Sequence, residues 1–277
     1  MSENAKPFVK WAGGKTQLLP ELHDRLPKDL NRYYEPFGGG GALLLSLGSR
    51  EGAVYSDINP QLVNAFRSVR DEPEELMSAI SDYDHRLQAD LTTKEYYVIR
   101  DEFNKTKGDL EVGVLHAAMF IFLNKHGFNG LYRENAKGKF NVPWNGRKGP
   151  SFDREQLLKA SSALQGVDLF VGDFTFAITD ASRGDLVFFD SPYVQLEGGS
   201  FDKYTAEGFT LEDHVRLRDK ANELTAEGVN VMLTNHSTPL VMDLYKGWNI
   251  EEVDVRRNIN RKGDSRKGKE VIIRNYG

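Results

Sequence analysis

A carboxylate, a small residue, a proline and an aromatic ring stand side by side in Asp190-Ser191-Pro192-Tyr193. Together they suit a planar base that carries an exocyclic amine. The Asp190 carboxylate and the Ser191 carbonyl can accept both amine hydrogens, Pro192 stiffens the backbone, and Tyr193 offers a stacking face. The same four residues also read as an ordinary strand end with an Asx-Pro turn, and so short a motif has a high false-positive risk. The run that leads in supports the chemical reading. Asp185 through Phe189 is short, apolar and rich in β-branched and aromatic side chains, the pattern of a buried strand. Open α/β sheets bind ligands beyond the carboxyl ends of their strands.

Three earlier stretches carry related signals. In Phe8-Val9-Lys10-Trp11-Ala12-Gly13-Gly14-Lys15 the glycine pair permits close backbone approach to a ligand. Lys15 is predicted to open a helical stretch through Leu18, Leu19 and Leu22. A Gly-Gly-Lys at a helix start can hold an anion, although the spacing is not that of a P-loop; a capped surface helix is the alternative. Tyr33-Tyr34-Glu35-Pro36-Phe37 then runs into Gly38, Gly39, Gly40 and Gly41, and Ala42 to Leu47 is apolar enough for a buried helix. Strand, glycine turn and helix form the first βα unit of a nucleotide-binding sheet. Ala53 to Ser56 reads as a second strand, ending in Asp57 about 20 residues after the turn, where an acidic residue accepts from ribose hydroxyls. Asp57 with Pro60 would equally cap a helix from Gln61 to Val69.

The elements that must position these residues follow from pattern. From Pro60 to Asp153 the chain is predicted helical, with apolar residues at three- and four-residue spacing in Glu74–Arg86, Lys94–Asn104 and Glu111–Lys125. Phe128 to Pro143 reads as a β-hairpin around Asn135-Ala136-Lys137-Gly138. Its Arg and Asn side chains suit base edges in a major groove, and a hairpin that merely covers the helices is the alternative. After Pro150 the α/β pattern resumes. Asp153 caps a helix to Leu164 with Gln156 at its third position. Asp168–Val171 is a strand ending at Gly172-Asp173-Phe174. Leu211–Ala226 is an amphipathic helix with Gly228 just past it. Val229–Leu233 is a strand ending in Thr234-Asn235-His236, where His236 reads as structural. Trp248–Val255 and Glu270–Arg274 are predicted to close the fold as an antiparallel pair.

Composition bounds the classes. The 277 residues are 39% hydrophobic and 28% charged, enough for a packed core in one large domain or one with an insertion. The absence of Cys excludes disulfides, thiolate zinc sites and a Cys nucleophile, and suits a reducing cytosol. No His, Asp or Glu cluster has metal-ligand spacing, so no metal is expected. Met1 to Pro7 is polar and no apolar run approaches the roughly 18 residues of a membrane span, so a soluble cytoplasmic protein without membrane contact is expected. The net charge of −5 does not favour nucleic acid, but a local basic face is sufficient. Val255 to Gly277 holds eight basic residues against two acidic ones, which is either such a face or a solvated hairpin with a charged tip.

Taken in order, these stretches resemble the Dam-type N6-adenine DNA methyltransferases, in which the cofactor motif comes first, target recognition next and the catalytic motif last. The resemblance rests on Phe8 to Lys15, Glu35-Pro36-Phe37 with its turn, Ser56-Asp57-Ile58-Asn59 and Leu123 to Arg133. It continues through Phe140-Asn141-Val142-Pro143, Asp190 to Tyr193, Thr234-Asn235-His236 and Val255-Arg256-Arg257, and so spans nearly the whole chain. It implies an α/β fold: a Rossmann-like S-adenosylmethionine-dependent methyltransferase sheet over residues 1–59 and 154–277. A mainly helical target-recognition domain carrying the β-hairpin would be inserted at 60–153.

By that resemblance S-adenosylmethionine lies over Phe37 and the turn at Gly38 and Gly40. Asp57 holds its ribose, Asp173 and Phe174 hold its adenine, and Trp11 and Lys15 border the cofactor and the target base. Asp190, Ser191, Pro192 and Tyr193 are catalytic, with Asp190 also beside the cofactor, and the target adenine is flipped out of the duplex. Leu131 and Arg133 occupy positions that read part of GATC, with Asn129 and Lys10 nearby. Asn141, Pro143, Arg147, Arg256, Arg257, Arg261 and Lys267 complete the contact with double-stranded DNA. A monomer is expected, in a bacterial or phage-infected cell, and a restriction-modification setting is one of its possible roles.

Two positions depart from the family pattern. Ser191 stands where the family usually has a second Pro, which keeps the acceptor carbonyl but loosens φ. An attenuated or inactive DNA-binding relative is therefore the alternative. Trp144-Asn145-Gly146-Arg147 changes the spacing to the basic residue after Val142-Pro143, which bears on the recognition sequence. A nicotinamide oxidoreductase on a similar sheet is a third reading, disfavoured because no second substrate domain with an acid/base His is visible.

Overall fold

The computed structural model describes residues 5–92, 94–107, 113–194, 208–256 and 267–277. Arg257 and Arg261 lie outside the described residues, as do the side chains of Arg256 and Lys267. The chain begins with helix α1 (Leu19–His23), strand β1 (Tyr33–Glu35), helix α2 (Ala42–Leu47) and strand β2 (Val54–Asp57). Helices α3 (Pro60–Asp71), α4 (Pro73–Ala89), α5 (Glu95–Thr106), α6 (Gly113–His126) and α7 (Arg154–Ala163) follow. Then come β3 (Asp168–Val171), β4 (Leu186–Phe189), α8 (Leu211–Ala226), β5 (Asn230–His236), α9 (Pro239–Leu244), β6 (Asn249–Arg256) and β7 (Lys267–Arg274).

Among the described residues the strands form one seven-stranded sheet in the order β3-β2-β1-β4-β5-β7-β6. The pairs β1–β2, β1–β4 and β4–β5 are parallel, whereas β5–β7 and β6–β7 are antiparallel. This is the mixed α/β sheet, mostly parallel, that the alternating pattern predicts. Strand β4 explains why its sequence is a continuous apolar run. Leu186, Val187, Phe188 and Phe189 are all buried, as a central parallel strand covered on both faces requires. The register sets Phe189 level with Leu233, so the carboxyl ends of β4 and β5 lie side by side.

The chain divides into two compact units. The first comprises Met1–Thr16, Gly39–Glu51 and Ser56–Gly172. Its centre is α6, which packs on α3, α4 and α5. Val114, Met119, Phe120, Ile121, Phe122 and Leu123 of that helix are all buried, so a helix apolar on nearly every side is covered on nearly every side. The second unit comprises Gln17–Gly38, Gly52–Tyr55 and Asp173–Gly277. Its core sets Tyr34, Val187, Phe189, Leu233 and Ile273 of the sheet against Leu217, Ala221 and Leu224 of α8 and Val241 of α9. A capping box formed by Thr210 and Asp213 starts α8.

Four local expectations change. Lys15 does not open a helix, because the chain bends after it and α1 starts only at Leu19, with Pro20 in its first turn. The cap of α3 is Asn59, whose side chain accepts from the Gln61 and Leu62 amides, so the capping role offered to Asp57 is taken. Strand β5 runs on through Thr234, Asn235 and His236 because these pair with Ile272, Val271 and Glu270 of β7. The region from Phe128 to Pro143 turns back on itself at Asn135–Gly138, but it carries one isolated bridge, Glu134 to Phe140, rather than two regular strands. The Asn135 amide donates to the Lys139 carbonyl and the Asn141 amide to the Arg133 carbonyl, so Phe140 faces Glu134 as a non-hydrogen-bonded pair. Its own amide and carbonyl turn outward, where the Asn104 side chain takes both, at 2.7 and 3.0 Å.

The predicted cap of α7 is present, with the Asp153 carboxylate accepting from the Gln156 amide at 2.9 Å. Asp153→Ala is expected to lower stability by about 1 kcal/mol, the usual value of an N-cap. A urea titration checks it: the midpoint should fall at unchanged slope.

Candidate active site

The glycine turn is built for close approach. A Cβ on Gly38 would lie 2.1 Å from the Tyr55 ring, so no larger residue fits. Gly39 has φ +50° and sits against the Trp11 indole, and Gly40 packs beside Trp11 and Pro7. The Gly39 amide donates to Asp57 Oδ2 at 2.9 Å, and the Asn59 amide donates to Oδ1 at 2.8 Å. Among the described residues each Asp57 oxygen thus keeps one acceptor position, which matches a pair of neighbouring hydroxyls. Burial raises the Asp57 pKa above the usual carboxylate value, and the two amides oppose that rise. Trp11 stacks on Tyr132 with centroids 5.8 Å apart. Lys15 is buried, with its ammonium 2.5 Å from the Gly13 carbonyl.

In the second unit, Phe37 stacks on Phe174 at 5.1 Å and meets Phe209 edge-on. Asp173, beside Phe174, is gripped by both guanidinium Nη groups of Arg216, at 3.1 and 2.8 Å. Burial alone would raise the Asp173 pKa, but the bonds from Arg216 and Thr175 outweigh it and hold the carboxyl below its usual value.

The end of β4 is pinned to the strands beside it. Thr234, buried at the end of β5, donates its hydroxyl to Asp190 Oδ1 at 2.7 Å. The Val194 amide donates to Asn235 Oδ1 at 3.0 Å, and His236 Nδ1 donates to the Val194 carbonyl at 2.7 Å. Between these ties Ser191 is buried and Pro192 exposed. The Tyr193 hydroxyl donates to Glu270 of β7 at 3.0 Å, and its ring meets the His236 ring edge-on at 4.8 Å. Burial and the nearby Asp190 and Glu270 carboxylates raise the Tyr193 pKa well above its usual value, so the residue stays a neutral phenol. His236 is a clamp on the loop, the structural part its place in the sequence suggests. Thr234, Glu270 and Arg216 are absent from the sequence-derived set. Thr234 stands in a quoted motif but with no role, and nothing in the local pattern of α8 or β7 points to the other two.

Those residues expected on DNA whose side chains are described fall in the first unit. Both the Lys10 amide and the Lys10 carbonyl bond the Asn124 side chain at 2.8 Å, and Asn124 also donates to the Gly130 carbonyl at 3.0 Å. The Lys10 stem passes over Gly130, where a Cβ would come within 2.5 Å of it. Lys10, Asn129 and Leu131 are therefore neighbours, and all three are exposed. Asn129 takes a left-handed φ of 57°. Arg133 is exposed, and its Nε donates to Asn141 Oδ1 at 2.8 Å. Pro143 and Arg147 are exposed as well, and the Arg147 carbonyl faces His126 Nδ1 at 3.1 Å and accepts from Trp144 Nε1 at 3.2 Å.

Comparison with known sequences decides the family. Residues 11–259 match the pattern of the D12 class N6 adenine-specific DNA methyltransferases. The chain belongs to that family. It is 40% identical over 280 residues to the type II methyltransferase M1.LlaDCHI of Lactococcus lactis subsp. cremoris, covering 99% of this chain and 96% of that protein. It is also 40% identical over 287 residues to the type II methyltransferase M.MjaIII of Methanocaldococcus jannaschii, covering 98% and 99%. The DNA adenine methylase of Escherichia coli is 30% identical over 272 residues, covering 98% and 95%. The oxidoreductase reading is thereby excluded, and the Asp-Ser-Pro-Tyr loop belongs to an adenine-specific DNA methyltransferase.

In this methyltransferase Gly38→Ala forces a methyl group into the Tyr55 ring. A loss of about 1–3 kcal/mol of stability is expected, as for an overpacked core site. Denaturant unfolding of the purified variant checks it.

Proposed function

We propose that this chain transfers a methyl group from S-adenosylmethionine to N6 of an adenine in double-stranded DNA, within GATC, after flipping that adenine from the duplex. The observation that carries the reading is the anchored Asp190. One of its oxygens is held by Thr234, which directs the carboxylate, while the Ser191 carbonyl supplies a second acceptor. An adenine amine has two hydrogens to give, and engaging both draws the N6 lone pair out of ring conjugation. The interaction strengthens as N6 gains positive character, so it acts on the transition state more than on binding.

On this reading Phe37, Gly38 and Gly40 hold the cofactor, and Asp57 accepts from its ribose hydroxyls through its two open positions. Asp173 and Phe174 take its adenine, while Trp11 and Lys15 border it and the flipped base. When bound, S-adenosylmethionine supplies an electrophilic methyl group on a sulfonium. Tyr193, a neutral phenol held by Glu270, offers its ring to the flipped base, and Asp190 is within reach of the proton that N6 gives up. Residues 1–59 and 154–277 serve catalysis and 60–153 serve recognition.

Arg133 is suited to a guanine. Asn141 takes its Nε, and its two Nη groups have no acceptor among the described residues, which leaves the fork that pairs with O6 and N7. On this reading Leu131, Asn129, Lys10, Asn141, Pro143 and Arg147 complete the recognition contacts, and Arg256, Arg257, Arg261 and Lys267 supply charge for phosphates.

Ser191 is the one observation that favours an attenuated relative. Four hydrogen bonds, made by Thr234, Asn235, His236 and Glu270, hold the loop without a second proline, and they weigh toward an active enzyme. Expression in a host with no adenine methylation of its own, followed by sequencing for N6-methyladenine, tests the reading. Modified adenines within GATC are expected from the natural chain and none from Asp190→Ala. No modification by the natural chain would refute the proposal, and modification in another sequence would refute its GATC part.

A further inference from the structure

Arg216 lies outside every motif that carries the family resemblance, yet it meets both halves of the pocket assigned above to the cofactor's adenine. Its guanidinium grips Asp173 with two bonds and lies 4.6 Å over the Phe174 ring. Asp213, one turn earlier on α8, accepts from the same Nη2 at 3.3 Å. The Thr210–Asp213 capping box fixes that turn, so Arg216 projects from a rigid helix start. The consequence lies in the acceptor count at Asp173. Oδ1 accepts from Arg216 Nη1 at 3.1 Å, the Thr175 amide at 3.1 Å and the Thr175 hydroxyl at 2.8 Å. Oδ2 accepts from Arg216 Nη2 alone, at 2.8 Å, among the described residues. A carboxylate offers about four acceptor sites, two on each oxygen. Oδ1 is saturated, and Oδ2 keeps one site.

We propose that Arg216 is a positioning residue that makes the Asp173 pocket selective for a purine bearing an exocyclic amine. This rests on the cofactor reading above. Arg216 keeps Asp173 an anion that can only accept, and it orients the carboxylate so that one Oδ2 lone pair remains for an N–H donor. A purine with a carbonyl at the same ring position sets oxygen against oxygen and is rejected. The π stack of Phe37 and Phe174 does not discriminate between the two rings, because each presents a similar face. Selectivity therefore resides in the ion pair.

The test uses the full chain and two ligands that cannot react: S-adenosylhomocysteine and its inosine analogue, which carries a carbonyl in place of the amine. Calorimetry on the natural chain should show preference for the adenosine compound, nearly constant between pH 5 and 7. Arg216→Met keeps an apolar stem over Phe174 and removes the fork. Its preference should shrink by about ten- to a hundredfold, the value of a hydrogen bond to a charged group. Its affinity for S-adenosylhomocysteine should also weaken as the pH falls. Without the guanidinium only the two Thr175 bonds oppose burial, so the Asp173 carboxyl titrates higher than in the natural chain, and protonation removes the acceptor.

Among the described residues the charged groups facing Asp173 are Arg216 and, behind it, Asp213. His214 is present in both proteins, with its pKa lowered by burial against a raising influence of Asp213, so the difference between them reports Asp173. Unchanged selectivity and an unchanged pH profile in a folded Arg216→Met variant would overturn the proposal while leaving the cofactor reading standing. An equal loss of both ligands at every pH would also overturn it, because it would mark Arg216 as packing only. If the natural chain bound neither ligand, the cofactor reading itself would fall and the inference with it.

Discussion

The hydrogen bond from the Thr234 hydroxyl to Asp190 Oδ1, 2.7 Å long, joins the carboxyl ends of two adjacent parallel strands. Thr234 is buried, so the bond is made away from bulk water and to a charged acceptor, where such bonds contribute about 1.5–3 kcal/mol. The register of β4 on β5 makes it possible, since Phe189 opposite Leu233 brings Asp190 opposite Thr234. The following loop repeats the device. Asn235 and His236 hold Val194, and Glu270 holds the Tyr193 hydroxyl. Asp190 to Val194 is thereby suspended from β5 and β7, and the rigidity that a second proline would bring is supplied from outside the loop.

The glycine turn obeys a related constraint, in which absent side chains matter as much as present ones. Tyr55 occupies the space that a Cβ on Gly38 would need, and the Trp11 indole closes on Gly39. The Gly39 amide donates to Asp57, and the two ends of one βα unit lock together. A carboxylate held by two backbone amides keeps its orientation and, among the described residues, still has an open position on each oxygen.

Much of this was legible in the sequence, because the features concerned are local. Ala42–Leu47 is a helix within the limits its apolar run suggests, Asp153 caps α7, and Asp57 ends β2 at the spacing that marks a nucleotide-binding unit. The misreadings arise where a distant residue intervenes. Asn104 on α5 anchors the outward-facing amide and carbonyl of Phe140 to the helix, a tie that no local pattern within Phe128–Pro143 encodes. The pairing with β7 carries β5 three residues past the apolar run that defined it, through polar residues that a periodicity rule assigns to a loop. Asn59 competes with Asp57 for the cap and wins, which frees Asp57 for the turn. Thr234, Glu270 and Arg216 act on residues 44, 77 and 43 positions away, and no local spacing encodes such pairings.

The central claim is that β5 aims the Asp190 carboxylate at the chemical step. Thr234→Val keeps the shape of the side chain and removes only the hydroxyl that donates to Asp190. Single-turnover methyl transfer at saturating DNA and S-adenosylmethionine should slow by about ten- to a hundredfold, the kinetic equivalent of one hydrogen bond to a charged group, with DNA affinity nearly unchanged. An unaltered single-turnover rate would contradict the account.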